Sequence, residues 1–282
     1  MCTKAPNFLA FKSRPSEGVR FLVKLNTEAM IKSTLEDIST WSLNNEIRYT
    51  FLTQLYSIIL CCEDNVTPYV GKIISTLYRF VANEDKKLSS IACDIAYALG
   101  FYSSPDSFVP IFINDFQQKG EANVDNIPLK QVTRCAIIVL LEELKGTASE
   151  DIVKHVGVLI ETIEKEIPNL DPSLIPVLLL LAHKLVEATA GKCKEFRSQF
   201  FHLILNLGGV CDLKESKSFV SATMEKLSVN CGLKDSCELF SQELQNALEE
   251  YKKTYKTWEK HSLERFAFDS LVRNANNAVP FN

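Results

Sequence analysis

The chain has 282 residues, of which 46% are hydrophobic and 23% charged, and its formal net charge is −4. These proportions are average for soluble globular proteins, so they exclude disorder over most of the length. A slightly acidic chain without basic clusters also argues against nucleic acid and anionic membrane surfaces as partners.

The N-terminal residues 1–16 contain two prolines and little periodicity, which predicts a loose arm. Met1 to Phe11 lack the continuous apolar stretch of a secretory signal. The longest apolar run of the chain, Leu174–Ala182, has about half of the ~20 residues that span a bilayer. We therefore expect a cytoplasmic protein that does not cross a membrane.

From residue 17 onwards the sequence is typical of successive amphipathic helices. Apolar residues recur at intervals of three and four, the spacing that places them on one helical face. Three examples are Ile73/Leu77/Phe80/Val81, Ile91/Ile95/Ala98/Leu99 and Val156/Leu159/Ile160/Ile163. Sustained alternation of the kind that indicates strands does not occur.

The breaks between these helices recur at a regular interval. Capping residues followed by proline or acids predict helix starts; they stand at Thr67-Pro68, Ser104-Pro105, Ser149-Glu150-Asp151 and Asp171-Pro172. Six helical pairs of about 40 residues result, the period of HEAT and armadillo repeats rather than of ankyrin or TPR repeats. The pairs fall near 17–62, 66–102, 105–145, 149–190, 193–230 and 233–278.

The predicted fold is therefore all-α, a HEAT-type superhelix (an ARM/HEAT solenoid) over residues 17–282. Second helices should be the more buried, as the apolar runs Ala136–Leu141 and Leu174–Ala182 indicate. Pro110 and Pro176 predict kinked or late-starting helices. The polar segment 119–127 predicts an exposed loop.

A search for catalytic, cofactor and metal motifs favours none. The four histidines, His155, His183, His202 and His261, lack supporting spacing and suit structural positions. The nine cysteines form no CxxC and are best explained as reduced, buried side chains. The adjacent carboxylates Glu142-Glu143 and Glu249-Glu250 are expected on solvated faces, and Gly208-Gly209 suits a helix cap. We expect neither an enzyme nor a cofactor or metal site.

A binding role rests on surface residues, because stacked helical repeats bind partners along extended surfaces. The two tryptophans, Trp41 and Trp258, with His261, are the candidate interaction or turn anchors. Packing of both tryptophans against inter-helix turns is the alternative, which we favour.

One family resemblance stands out in this pattern. Residues 224–272 resemble the dynein axonemal assembly factor 5 family of HEAT-repeat proteins through Met224-Glu225, Leu227-Ser228, Gly232-Leu233, Ser236-Cys237, Leu239-Phe240, Leu244, Leu248-Glu249, Thr257-Trp258 and His261-Ser262. Further matches are Asp37-Ile38, Trp41, Arg48, Leu55–Ile59, Glu63-Asp64, Leu99-Gly100, Pro105 and Phe108. The resemblance covers most of residues 20–280 and corresponds to a middle part of longer family members.

This resemblance implies a cytoplasmic scaffold, also found in dynein axonemal particles, for preassembly of the outer and inner dynein arms of motile cilia. The implied partners are axonemal dynein intermediate and heavy chains, other dynein assembly factors and chaperones. A HEAT-repeat adaptor in trafficking or nuclear transport, or a regulatory subunit of a multiprotein complex, is the alternative.

Overall fold

The computed structural model describes residues 15–40, 44–117, 129–210, 214–259 and 262–278. Over these ranges every regular element is helical, which confirms the predicted all-α class. The predicted arm lies outside the described residues up to residue 14, as does the predicted loop 119–127. The chain divides into two compact units, Met1–Asp151 and Ile152–Asn282.

The described residues of the first unit form seven α-helices. They are α1 (Glu17–Leu25), α2 (Thr27–Thr40), α3 (Asn45–Cys62), α4 (Val70–Leu77), α5 (Lys86–Tyr102), α6 (Pro105–Phe116) and α7 (Leu129–Gly146). A 3-10 helix, Glu63–Tyr69, precedes α4. Helix α5 packs between α3 and α7, and α2, α4 and α6 back α3, α5 and α7 respectively. The result is a two-layered stack of helical pairs.

In the parts of the second unit that the structure describes there are six α-helices, the first of which begins three residues before the unit boundary. They are α8 (Ser149–Glu166), α9 (Ile175–Thr189), α10 (Arg197–Val210), α11 (Lys214–Asn230), α12 (Ser236–Thr254) and α13 (Leu263–Ala278). Short 3-10 helices lie at Ile167–Asn169, Pro172–Leu174, Ala190–Phe196 and Tyr255–Thr257. Helix α9 packs beside α11, and α10 packs against α9, α11 and α13.

The predicted apolar stripes form the cores of their units. All members of the α5 stripe at Ile91, Ile95, Ala98 and Leu99 are buried, as are all members of the α8 stripe. Phe80 and Val81 are buried too, although they follow the end of α4 in a turn. Burying these side chains supplies the main stabilisation of each helix, because isolated helices of this length are marginal in water.

Capping residues set several helix starts. The Ser104 hydroxyl accepts a hydrogen bond from the Asp106 amide at 3.3 Å, with Pro105 in the first turn of α6, as predicted. Asp171 caps the short helix at Pro172 in the same way, accepting from the Ser173 amide at 3.0 Å. The predicted cap at Thr67 is wrong. Its hydroxyl donates to the Asp64 carbonyl, because a 3-10 helix runs through this position.

The two interior prolines behave differently. Pro176 lies in the first turn of α9, which starts late, after the separate 3-10 helix Pro172–Leu174. The late start predicted at Pro176 is therefore confirmed. Proline has no backbone N–H to donate, and the first turn of a helix is where that N–H has no acceptor within the helix. Helix α6 instead continues through Pro110, which is exposed to solvent.

The segment Pro172–Val210 is long and apolar enough to cross a membrane by composition, with a mean hydropathy of 1.5 over an 18-residue stretch. Half of that stretch is buried inside the unit. The segment is also divided, since the 15-residue helix α9 ends before a seven-residue 3-10 helix and α10. Helix α9 is about 22 Å long, shorter than a bilayer core of about 30 Å. Its apolar character is accounted for by the core it fills.

Candidate interaction surface

Helices α5 and α7 cross at two glycines in the first unit. An added Cβ at Gly100 would lie 2.0 Å from the Glu143 carbonyl oxygen, and one at Gly146 would lie 2.3 Å from the Tyr97 carbonyl oxygen. Thr147 adds a hydrogen bond across the same contact, from its hydroxyl to the Gly100 carbonyl at 3.2 Å. The backbones therefore approach closely, which fixes the helices that carry the surface described next.

A groove of about 390 Å³ lies between α3 and α5. Residues at helical spacing line both walls: Tyr49, Thr53 and Tyr56 from α3, and Lys86, Lys87, Ser90, Ile91 and Asp94 from α5. Asn45 at the start of α3 donates a hydrogen bond to Asp85, the cap of α5, at 3.1 Å, joining the two helix starts. This groove was not predicted from the sequence. The spacing of Tyr49, Thr53 and Tyr56 by three and four residues does indicate that they share one face of α3.

The far end of the groove is acidic. Burial raises the pKa of Asp94, and the nearby Glu142 raises it further, while Lys145 lowers it. Lys145 pairs with Glu142 at 2.5 Å one turn along α7. The lysines at one end and the carboxylates at the other give the groove two oppositely charged ends.

A second cavity, of about 480 Å³, lies between α2 and α4. Its walls are lined by Glu28, Ile31, Lys32, Leu35, Glu36, Ser39, Thr40, Tyr69, Lys72, Ser75 and Thr76. Acidic and basic side chains alternate along this cavity, so it offers no single charge to a ligand.

Helix α1 presents an apolar surface to solvent. Val19, Phe21, Leu22 and Leu25 are each at least half exposed. Its opposite, basic face holds the helix in place, because Arg20 and Lys24 both pair with Glu63. Exposed apolar surface of this kind is common at protein interfaces.

The prediction that Glu142 and Glu143 both lie on a solvated face is wrong for Glu143. Its side chain is 1% exposed, and its Oε1 has no hydrogen-bond partner among the described residues. Burial raises the pKa of Glu143 well above its ordinary value, because the charged form loses its hydration. Adjacent residues on a helix point about 100° apart, so one carboxylate faces the core while its neighbour faces water. Glu249 and Glu250 are exposed, as predicted.

In the second unit, the prediction of a cap at Gly208-Gly209 is also wrong. Both glycines lie inside α10, where α13 crosses it. A Cβ at Gly209 would lie 2.3 Å from the Phe266 carbonyl oxygen, and one at Gly208 would lie 2.9 Å from Val220. These glycines permit close helix packing rather than a left-handed turn.

A buried ion pair joins α10 to α12. Arg197 contacts the fully buried Glu243 at 2.5 Å, and Ser198 donates to the other carboxylate oxygen at 2.7 Å. Gln242 accepts a further hydrogen bond from Arg197 at 2.6 Å. Both carboxylate oxygens of Glu243 have hydrogen-bond partners on α10, so this network links α10 to α12.

Four titratable groups lie near one another on α8, α10 and α12: Glu164, His202, Glu250 and Tyr251. Burial raises the pKa of Glu164 to about 7, against the opposing effect of a hydrogen bond from Asn206. Glu250 contributes to that rise and lies 3.4 Å from the His202 imidazole. Burial also raises the pKa of Tyr251 to about 12.

Of the predicted anchors, only Trp258 lies within the described residues. Its ring centroid is 5.5 Å from that of Tyr251 and 5.6 Å from that of Phe268, and its indole N–H donates to Thr254 at 3.0 Å. These contacts close the turn between α12 and α13, the packing alternative favoured from the sequence. Trp41 and His261 lie outside the described residues.

The remaining histidines and the cysteines occupy structural positions. His183 contacts the Thr223 hydroxyl at 3.1 Å and Glu187 at 3.5 Å, while His155 is half-buried in α8. Every cysteine in the described ranges is a free thiol, and most are buried, as predicted. In those ranges no group of three or more histidine, cysteine or carboxylate side chains is arranged to hold a metal ion.

Comparisons with known proteins give the chain a family. Residues 7–211 match the sequence model described as "Dynein axonemal assembly factor 5, HEAT-repeat domain". Together with the all-helical structure, this match confirms the predicted HEAT-type fold.

Individual relatives carry the same description. The chain is 21% identical over 277 residues to dynein axonemal assembly factor 5 of Mus musculus and 20% identical over 277 residues to that of Homo sapiens. Each alignment covers 97% of this chain and 31% of the relative. The Xenopus laevis protein is 20% identical over 262 residues, covering 92% of this chain and 30% of its own length. The chain thus spans about a third of the length of these relatives.

Proposed function

We propose, because this chain belongs to the dynein axonemal assembly factor 5 family, that it is a non-catalytic HEAT-repeat scaffold for preassembly of axonemal dynein arms. Its site of action is the cytoplasm, including dynein axonemal particles, before the arms enter motile cilia or flagella. Its clients are axonemal dynein intermediate and heavy chains of the outer and inner arms, which it holds while chaperones and other assembly factors complete them.

The observation that carries this proposal is collinearity. Similarity to proteins named dynein axonemal assembly factor 5 extends over 97% of the chain rather than over one motif. A short motif can arise in unrelated helical repeats, whereas a match over nearly the whole chain indicates the same order of helices and turns.

The surface chemistry supports a binding role. A groove with oppositely charged ends between α3 and α5 and an exposed apolar face on α1 offer sites for polypeptide partners. The carboxylates of Glu143 and Glu243 face the interior, and Arg197 pairs with Glu243 from a partly exposed position, so these groups contribute to packing.

Affinity purification tests the proposal. The tagged 282-residue chain is expressed in cells that build motile cilia, and the captured proteins are identified by mass spectrometry, with the tag alone as control. We expect axonemal dynein intermediate or heavy chains together with chaperones. Capture of nuclear-transport cargo or coat proteins without any axonemal dynein would overturn the proposed function and leave the fold unchanged.

A further inference from the structure

In the groove between α3 and α5, some polar side chains have no partner among the described residues. Lys86 and Lys87 are both exposed, and within the described part of the chain neither forms an ion pair. The Thr53 hydroxyl in the wall is fully buried and has no hydrogen-bond partner among those residues. The two exposed ammonium groups are therefore the ones available to a ligand.

The carboxylate nearest the two lysines is already engaged. One Asp85 oxygen accepts a hydrogen bond from the Lys87 amide at 3.0 Å, and the other accepts from Asn45 at 3.1 Å. Glu84 does not line the groove. The lysine end therefore presents two ammonium groups at the N-terminal, positive end of a 17-residue helix, which attracts carboxylates.

Apolar side chains line the same groove as the two lysines. Tyr49 is 39% exposed, while Tyr56 and Ile91 are buried deeper in the walls. An aromatic ring beside basic groups suits a segment that carries an apolar side chain next to its acidic ones, because tyrosine provides rigid contact area at low entropic cost.

Asp94 sets where a basic residue of a bound segment can lie. It is seven positions beyond Lys87 on α5, about 10 Å along the helix axis. An extended peptide covers that distance in about three residues. A segment with carboxylates over the lysines is therefore compatible with a basic residue about three positions away, on either side, over Asp94.

We propose that this groove binds an acidic segment of a partner protein, with Asp or Glu side chains over Lys86 and Lys87 and an apolar side chain against Tyr49. This inference rests on the proposed scaffold function, for which it supplies a binding site. The partner is defined by unmodified carboxylates rather than by phosphate groups.

A peptide selection tests it directly. A library of random twelve-residue peptides displayed on phage is selected against the full chain, and the most enriched peptide is synthesised with a fluorophore. We expect enrichment of Asp and Glu beside an apolar residue, and binding that weakens as ionic strength rises. Enrichment without acidic residues, or preferential binding of a phosphorylated form of the peptide, would overturn the proposal.

Two sets of variants locate the binding. Fluorescence anisotropy should show affinity at least tenfold lower for the double variant Lys86→Glu/Lys87→Glu and lower also for Tyr49→Ala. Acidic residues suit the start of a helix, so the double variant should remain folded. The matched control is Lys252→Glu/Lys253→Glu, an adjacent exposed pair on α12, which should bind within twofold of the wild type.

Equal loss of affinity in both double variants would show that overall charge alone attracts the peptide, and would contradict the assignment. The result of the peptide selection can be distinguished from that of the affinity purification. Capture of dynein chains by a protein that selects no acidic peptides rejects only the groove, whereas selection of acidic peptides without dynein capture rejects only the proposed function.

Discussion

Glu143 shows how a single residue couples the folding of the first unit to pH. Glu143 lies within α7, where its backbone closely approaches Gly100, and its side chain is buried. Burial raises the pKa of Glu143 well above its ordinary value, because the charged carboxylate loses its hydration.

The free energy of unfolding should consequently fall as pH rises through this group. The pKa of Glu143 is raised on folding, so the folded chain retains a proton that the unfolded chain releases above about pH 4.5. The loss reaches about 1.4 kcal/mol per pH unit between the unfolded and folded pKa values. Replacing Glu143 by Gln removes this dependence, so the variant should gain stability relative to wild type as pH increases.

Urea unfolding at pH 5.5, 6.5 and 7.5 measures the effect. The control is Glu142→Gln, which changes the partly exposed neighbour that pairs with Lys145. Only the Glu143 variant should diverge progressively from wild type with pH. The same pH dependence in both variants would contradict a raised pKa of Glu143 in the folded chain.

At the scale of elements, close helix crossings fix the packing of each unit. Gly100 and Gly146 allow α5 to meet α7, and Gly209 allows α10 to meet α13. At each of these positions the opposing atoms belong to backbone, which cannot rotate away from an added methyl group. The crossings therefore tolerate no larger residue without a shift of a whole helix.

The variant Gly209→Ala should be destabilised by about 3 kcal/mol or more, because overpacking already costs 1–3 kcal/mol where side chains can yield. Gly157→Ala is the matched control in the same unit, since its Cβ would meet only a Phe196 ring carbon at 3.7 Å. Alanine suits a helix better than glycine, so this control should gain up to about 1 kcal/mol. Chemical denaturation compares the two, and a Gly209→Ala protein as stable as the Gly157→Ala protein would contradict the crossing.

A charge in the apolar helix α9 provides a second test at this scale. Leu179 is 1% exposed, whereas its neighbour Leu180 is 39% exposed. The variant Leu179→Asp should unfold at least its own helical pair, because an unpaired carboxylate is not buried without a large cost. Leu180→Asp should lower the thermal midpoint much less. A midpoint for Leu179→Asp equal to that of wild type would refute the burial of α9.

The sequence was sufficient for features that depend on local spacing. The stripe from Ile91 to Leu99 and the cap at Ser104 are decided within one or two helical turns, and both were predicted correctly. Thr67 was misjudged because a local 3-10 helix replaces the start of an α-helix there. Gly209 and Glu143 were misjudged because their environment depends on other segments, through the crossing by α13 and the burial of one face of α7. The groove between α3 and α5 depends on distant segments in the same way, since its walls come from two separate helices.

At the scale of the molecule, the described residues of the two helical units offer surface for binding. His183 contacts the Thr223 hydroxyl, His202 lies near Glu250, and most thiols of the described ranges are buried. The α3–α5 groove carries two exposed lysines, and α1 carries four exposed apolar side chains. Such a distribution suits a protein that holds partners together.

The most direct test of the scaffold account is the state of the axoneme after this protein is depleted from cells that build motile cilia or flagella. Electron microscopy of axoneme cross-sections should show outer and inner dynein arms reduced or missing, while microtubule doublets remain. Re-expression of the protein should restore the arms. Complete rows of both arms in depleted cells, with normal beating, would contradict a role in dynein arm assembly.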